Sequence, residues 1–364
     1  MRTREETHAI REFIVENIDH HPADVARLTA KQFDLSRQSV MHHINRLIAD
    51  GVVEATGRTR ARLYTLHADT WIHSLAVGPE LEEDVVWREL VAPRLEGVPD
   101  NVELICNHGF TEMLNNVKDH SESSECQIGI RRDAIKTTIS VHDSGIGIFE
   151  KIQRTFALHD PRHALLELAK GKLTTDSKRH TGEGVFFTSR MFDQFKIMSG
   201  TLYYTRTNKR ADEWLIDVGD WPPIQGTTIT MVIRHDATQT TKEIFDLYAS
   251  EANDYGFTRT HVPLQLAMYE GEHMLSRSQA KRILARVDRF REVLLDYAGV
   301  MQIGQAFADE IYRVFANEHP HVKIVSLFTT PEIDEMIARA RAGLSGETTE
   351  SAQLALRSPD GGLV

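Results

Sequence analysis

The chain has 364 residues, with 42 Lys and Arg against 53 Asp and Glu, a formal net charge of −11, and a composition 41% hydrophobic and 26% charged. That balance excludes collagen-like and fully disordered classes, and the length predicts two or three domains. An acidic chain has no overall pull toward nucleic acid, so any basic patch is local. The two cysteines, Cys106 and Cys126, form no CxxC pair and are too few to staple a fold of this size. They predict a reducing, cytoplasmic setting without a cysteine metal site. The opening MRTREETHAI lacks an apolar core and a small-residue cleavage site, and no run of 18 apolar residues occurs. Neither a secretory leader nor a transmembrane helix is expected.

Ile10, Phe13, Ile14 and Ile18 predict a helix over 4–18. His21 and Pro22 interrupt, and 23–32 reads as a second helix. Ser36 opens a third on Val40, Ile44, Leu47 and Ile48, which Gly51 stops. VVEATGRTRARLYTL then reads as two short strands around a Gly-Arg turn. The third helix carries Arg37, Gln38, His42, His43 and Arg46, and the hairpin carries Arg58, Arg60 and Arg62. Between 36 and 67 these five Arg face two acids, Asp50 and Glu54, a local +3. Alternation along a strand would set the three hairpin guanidiniums on one face, suited to phosphates. The polar start of the third helix suits base edges in the major groove. A protein-docking module with a solvated basic turn fits the same pattern. Three helices and a hairpin resemble a winged helix-turn-helix domain, taken here as 1–70, and that resemblance implies binding to double-stranded DNA.

Residues 80–99 read as one amphipathic helix and 101–120 as a second. A strand is predicted at 135–142, then loops and helices to about 200. LYYTRT, EWLIDVG and TTITMVIRH read as three antiparallel strands. On the second helix Glu112, Asn116 and His120 stand four apart and form one column. A carboxylate can orient water there while a carboxamide oxygen holds Mg²⁺, although a plain polar face has the same spacing. In HDSGIGI, Asp143 ends a strand, and Gly145 and Gly147 permit tight turns and close ligand approach. In KLTTDSKRHTGEGV, Gly182 and Gly184 precede a helical run whose N–H groups suit phosphate, with Lys172, Lys178 and Arg179 nearby. GTT, Gly226 to Thr228, opens a strand. No GxxxxGK[ST] loop occurs, so a P-loop ATPase is not the reading.

In that order, FTEMLNNVKDHS, DSGIGI, TGEGV and GTT resemble the N, G1, G2 and G3 boxes of the GHKL ATPase superfamily. The resemblance implies a Bergerat α/β sandwich over 71–240 that binds Mg-ATP. By the match, Glu112 is the general base and Asn116 the Mg²⁺ ligand. Asp143 reads adenine above Gly145 and Gly147. Lys178, Arg179, Thr181, Gly182 and Gly184 hold phosphates, Thr228 supports the adenine site, and about 160–181 forms a mobile lid. His120 is taken as lining the site. The second box departs from the sensor-kinase pattern in its Gly182-Glu183-Gly184, and no phosphoacceptor helix pair precedes it.

Alternating strands and helices over 258–343 predict a parallel sheet: VPLQLAM, EVLLDYAG and HVKIVSLF as strands, SRSQAKRILARV, QAFADEIYRVFA and TPEIDEMIARAR as helices. DYAGVMQIGQAFADEIYRVF resembles a STAS-like domain. Related anti-anti-sigma factors carry a phosphorylatable Ser where this chain has Gln302-Ile303-Gly304-Gln305, so a docking domain for a protein partner is expected instead. Residues 344–364 read as a flexible tail. The whole reading is an α/β multidomain, cytoplasmic regulator that binds and hydrolyses ATP. A protein kinase of the anti-sigma type and a non-catalytic ATP-binding scaffold are the alternatives.

Overall fold

The computed structural model describes residues 3–58, 61–173, 182–208, 212–217, 222–249, 256–268 and 273–342. Arg60, Lys178, Arg179, Thr181 and the tail expected over 344–364 lie outside the described residues.

Helix α1, Arg4–Asn17, starts at a capping box in which the Thr3 side chain accepts from Glu6 N–H and Glu6 reaches back. Helix α2 spans Val25–Gln32, and α3 spans Arg37–Ala49 with Ser36 Oγ accepting from Ser39 N–H at 3.1 Å. Strands β1, Val53–Thr56, and β2, Leu63–Leu66, pair antiparallel. Ile10, Ile14, Ile18, Val40, Ile44 and Leu47 form the core under these elements. Two expectations need correcting. Strand β2 begins only at Leu63, so Arg58 and Arg62 belong to the connection between strands. The period-2 argument for guanidiniums sharing one face therefore does not apply to them. His43, expected among the polar residues of α3, is buried.

The central domain is a seven-stranded, fully antiparallel sheet in the order β3-β4-β5-β9-β6-β7-β8. Its strands are β3 Asp69–Ala76, β4 Glu125–Arg132, β5 Lys136–Asp143, β6 Gln194–Gly200, β7 Leu202–Thr207, β8 Asp212–Asp217 and β9 Ile224–Arg234. Strict alternation buries Cys126, Ile128 and Ile130 on β4 and Ile139, Val141 and Asp143 on β5. Over that face lies α5, Asp100–His120, whose buried stripe includes Val102, Ile105, Phe110 and Met113. Acidic Asp100 and Glu103 open it and Lys118 and His120 close it, the charge order a helix dipole favours. The helix expected over 80–99 is shorter. It comprises α4, Glu83–Val86, a π turn at Trp87–Val91 and a 3₁₀ turn at Ala92–Arg94. Helices α6 (Ile148–Thr155), α7 (Arg162–Lys170), α8 (Gly184–Met191) and α9 (Thr241–Tyr248) complete the layer.

The C-terminal module is a three-stranded parallel sheet, β10-β11-β12, formed by Arg259–Pro263, Glu292–Asp296 and Lys323–Leu327. The first strand lies earlier than expected. It ends at Pro263, which has no N–H for a ladder, and Leu264–Ala267 is a 3₁₀ turn. Helix α10, Arg277–Leu284, and α11, Gln305–Asp309 with a π turn at Glu310–Phe315, connect the strands, and a helix over 331–342 follows. The protein is thus a mixed α/β multidomain chain.

Candidate functional site

Four segments far apart in the sequence meet on the helix-covered face of the seven-stranded sheet, around a cavity of about 300 Å³. Glu112, Asn116 and His120, successive turns of α5, all line it, as i, i+4 spacing on one face allows. Asp143, at the end of β5, is only 4% exposed. Its Oδ1 accepts from Gly145 N–H at 2.9 Å, and the Thr227 N–H also donates to it. Burial raises this carboxyl above the ordinary aspartate value, and those two N–H groups and His142 offset the rise in part.

Backbone geometry after Asp143 explains both glycines. A Cβ on Gly145 would stand 1.9 Å from the carbonyl oxygen of Ser121. Gly147 has φ +87° and opens α6, a conformation that side chains other than Gly disfavour. Ile148 N–H then donates to Thr227 Oγ1 at 2.9 Å. Thr227, and not the expected Thr228, lines the cavity. In the β5–β9 register Asp143 pairs with Thr227, so the two share a face. Thr228 points to the opposite face, where its hydroxyl meets His142 Nδ1 at 2.9 Å.

Gly182, Glu183 and Gly184 close one end of the cavity. The carbonyl of Gly182 accepts from Leu173 N–H at 3.1 Å. Gly184 opens α8 beside Glu112, and a Cβ there would lie 2.1 Å from Glu112 Oε2. The segment expected as a mobile lid over 160–181 contains α7, whose residues Ala164 to Lys170 are all buried. Ala164, Leu165, Leu166, Leu168 and Ala169 pack this helix inward, and only Leu168 of α7 faces the cavity. Reasoning from sequence also missed Lys151 and Ile152 of α6, which line the wall. Lys151 forms an ion pair with Glu122. The 3.6-residue period of α6 was the available signal.

No cluster of three or more His, Cys, Asp or Glu able to hold a metal occurs among the described residues. At the N-terminal module Arg37, Gln38, His42 and Arg46 are exposed on α3, with Arg46 Nε 3.1 Å from Asp50. Arg58 and Arg62 are exposed at the hairpin connection.

The architecture defines a chain of several α/β modules ending in a parallel-sheet domain with helical crossovers. Residues 279–338 match the family model described as a STAS-like domain of unknown function (DUF4325), so this part of the chain is STAS-like. The match runs from α10 into the final helix and leaves β10 outside. No curated protein matches the chain. No helix among the described residues is long and apolar enough to cross a membrane.

Proposed function

We propose that residues 71–240 are a GHKL-type ATP-binding domain of the Bergerat fold, which hydrolyses Mg-ATP. It serves a regulator with an N-terminal winged helix-turn-helix and a C-terminal STAS-like docking domain. The observation that carries this reading is the convergence of Glu112, Asn116, Asp143, Gly147, Gly182 and Gly184 on one cavity. The ionised Asp143 carboxylate accepts the exocyclic amine of adenine, with Thr227 fixing its orientation. N–H groups at the Gly182–Gly184 end bind the phosphates. Glu112 orients a water toward the terminal phosphorus and takes its proton as the new P–O bond forms and ADP leaves.

The donor set fits Mg²⁺ bound with nucleotide. Such sites use one or two protein oxygens plus phosphate and water rather than a protein cage. Asn116 Nδ2 lies 4.0 Å from Met113 Sδ, which leaves the carboxamide oxygen for a hard cation. Bound there, Mg²⁺ would neutralise charge developing on the phosphates.

The test is incubation with γ-labelled ATP and Mg²⁺, paired with calorimetry. Tight binding and label released as phosphate support the ATPase. Label on protein moves the kinase ahead, and binding without turnover moves the scaffold ahead. Losing a charged acceptor costs about 1.5–3 kcal/mol, so Asp143→Ala weakens ATP binding roughly tenfold or more. For DNA, the supporting feature is the exposed set Arg37, Gln38, His42, Arg46, Arg58 and Arg62. Replacing Arg58 and Arg62 by Ala in the full chain lowers affinity across sequences and flattens its salt dependence. An unchanged salt slope refutes the phosphate contacts.

A further inference from the structure

Helix α7 lies between two modules. Leu168, and Leu173 just beyond the helix, line the cavity. The other side of α7 packs on β10 and the 264–267 turn. Lys170, 1% exposed, sends its ammonium across this boundary. Nζ donates to the carbonyls of Arg282 at 3.2 Å and Ala285 at 2.9 Å, and to Glu167 Oε1 at 2.9 Å. The second oxygen of Glu167 holds Arg286 at 2.6 Å. Thr260 Oγ1 donates to the Lys170 carbonyl at 2.6 Å. Two residues on, the Lys172 ammonium lies 4.7 Å from the centre of the Phe290 ring and donates to the Arg289 carbonyl at 3.2 Å.

An ammonium removed from water must have its charge paired and its three protons accepted. Here one carboxylate and two carbonyls do so, and both carbonyls belong to the STAS-like segment. Apolar side chains in place of the whole cluster could fill the same space without the cost of burying charge. The ion cluster adds direction: α7 cannot slide or turn against Arg282–Arg286 without breaking a bond to a buried charge. The same nine-residue helix carries part of the cavity wall.

We propose that the Lys170–Glu167–Arg286 cluster is a latch that links occupancy of the nucleotide cavity to the packing of the STAS-like domain. The inference rests on the ATP-binding reading given above. Linkage of this kind is reciprocal: a partner that tightens the STAS-like side of the latch changes nucleotide affinity by the same factor as nucleotide changes the partner's.

The experiment uses the full chain, a non-hydrolysable ATP analogue with Mg²⁺, calorimetry, and amide hydrogen exchange over residues 282–291, none of which lines the cavity. In the unmodified chain the analogue binds and slows exchange at 282–291. In Lys170→Met, which keeps the apolar stem, the analogue still binds, at least about fivefold more weakly, and the slowing at 282–291 disappears. Thr260→Val removes a single hydroxyl bond and reduces the slowing in part, which keeps the test open if Lys170→Met fails to fold. Binding to the unmodified chain with unchanged exchange at 282–291 overturns the latch alone. Undiminished affinity and slowing in Lys170→Met also overturn it. No binding to the unmodified chain overturns the ATP reading and the latch with it.

Discussion

Gly184→Ala separates the chemistry at Glu112 from nucleotide binding. The added Cβ would meet Glu112 Oε2 at 2.1 Å and Glu112 Cδ at 3.1 Å. The nearest atom is the far end of a flexible side chain, so the carboxylate rotates away and the backbone stays. Gly184 is the first residue of α8, where Ala is preferred to Gly by about 0.5–1 kcal/mol in a helix. That gain offsets much of the cost of displacing Glu112, so the unfolding midpoint barely changes. Alanine keeps the backbone N–H, so phosphate binding is retained and ATP affinity stays within about threefold, a cost below roughly 0.7 kcal/mol. Turnover behaves otherwise, because a 1 Å misplacement of a catalytic group can cost about 10²-fold. Phosphate release under saturating ATP should fall by roughly that factor. The assay pairs calorimetric affinity, thermal unfolding and phosphate release on one preparation. Turnover unchanged, or affinity lost in proportion to turnover, would refute Glu112 as the base and leave Gly184 a packing residue.

Two further expectations concern Asp143 and its neighbours. Its carboxyl is raised above the ordinary aspartate value by burial, and adenine recognition needs the ionised form. On going from neutral to acid pH, ATP affinity therefore falls at a higher pH than an ordinary aspartate would give. The stability sign is opposite: the fold favours the protonated form, so this group's contribution is present at acid pH and lost as pH rises through the raised value. Calorimetry across that range on the unmodified chain and on Asp143→Asn, which should be flat, checks it. Thr227→Val removes the hydroxyl that holds Ile148 N–H and weakens ATP binding severalfold, about 1 kcal/mol for one hydrogen bond. Thr228→Val, on the opposite face, leaves ATP affinity unchanged; equal effects in the two variants would show that strand parity does not decide the site.

The sequence made helices legible where a buried apolar stripe met a capping residue, as at Thr3, Ser36 and Ser276, whereas α9, capped by Thr240 but with no buried residue, was not read. Strand β5 was legible because IKTTISVH alternates. Strands β3, β4 and β6 were not read from the sequence. Edge strand β3 has no fully buried residue, and β6 follows α8 after two residues, without a turn signal. The column Glu112, Asn116, His120 follows from helix period alone. The choice between Thr227 and Thr228 needed the register with Asp143, which is a long-range fact. Of the segment expected as a lid, 174–181 lies outside the described residues; in its described part Glu167 and Lys170 look like surface charges until Arg282, Ala285 and Arg286 are brought against them from over a hundred residues away.

The apolar core of the N-terminal module is separate from that of the seven-stranded sheet, and one residue crosses between them. Ile135, in the turn between β4 and β5, is 8% exposed and sits among the apolar residues of the three N-terminal helices. On either side of it Lys136 pairs with Asp19 at 2.6 Å and Arg234 with Glu16 at 2.7 Å. These contacts lie at one end of β5 and β9, and Asp143 and Thr227 lie at the other end of the same two paired strands. Eight residues of extended strand span roughly 26 Å. A continuous ladder over that distance joins the residues that meet the N-terminal helices to the floor of the cavity. A fragment ending at residue 70 loses the cover of Ile135, whose burial is worth about 1.5–3 kcal/mol, together with both ion pairs. Measured thermal unfolding of that fragment should therefore begin well below that of the full chain, and an equal midpoint would show that the sheet adds nothing to the N-terminal core.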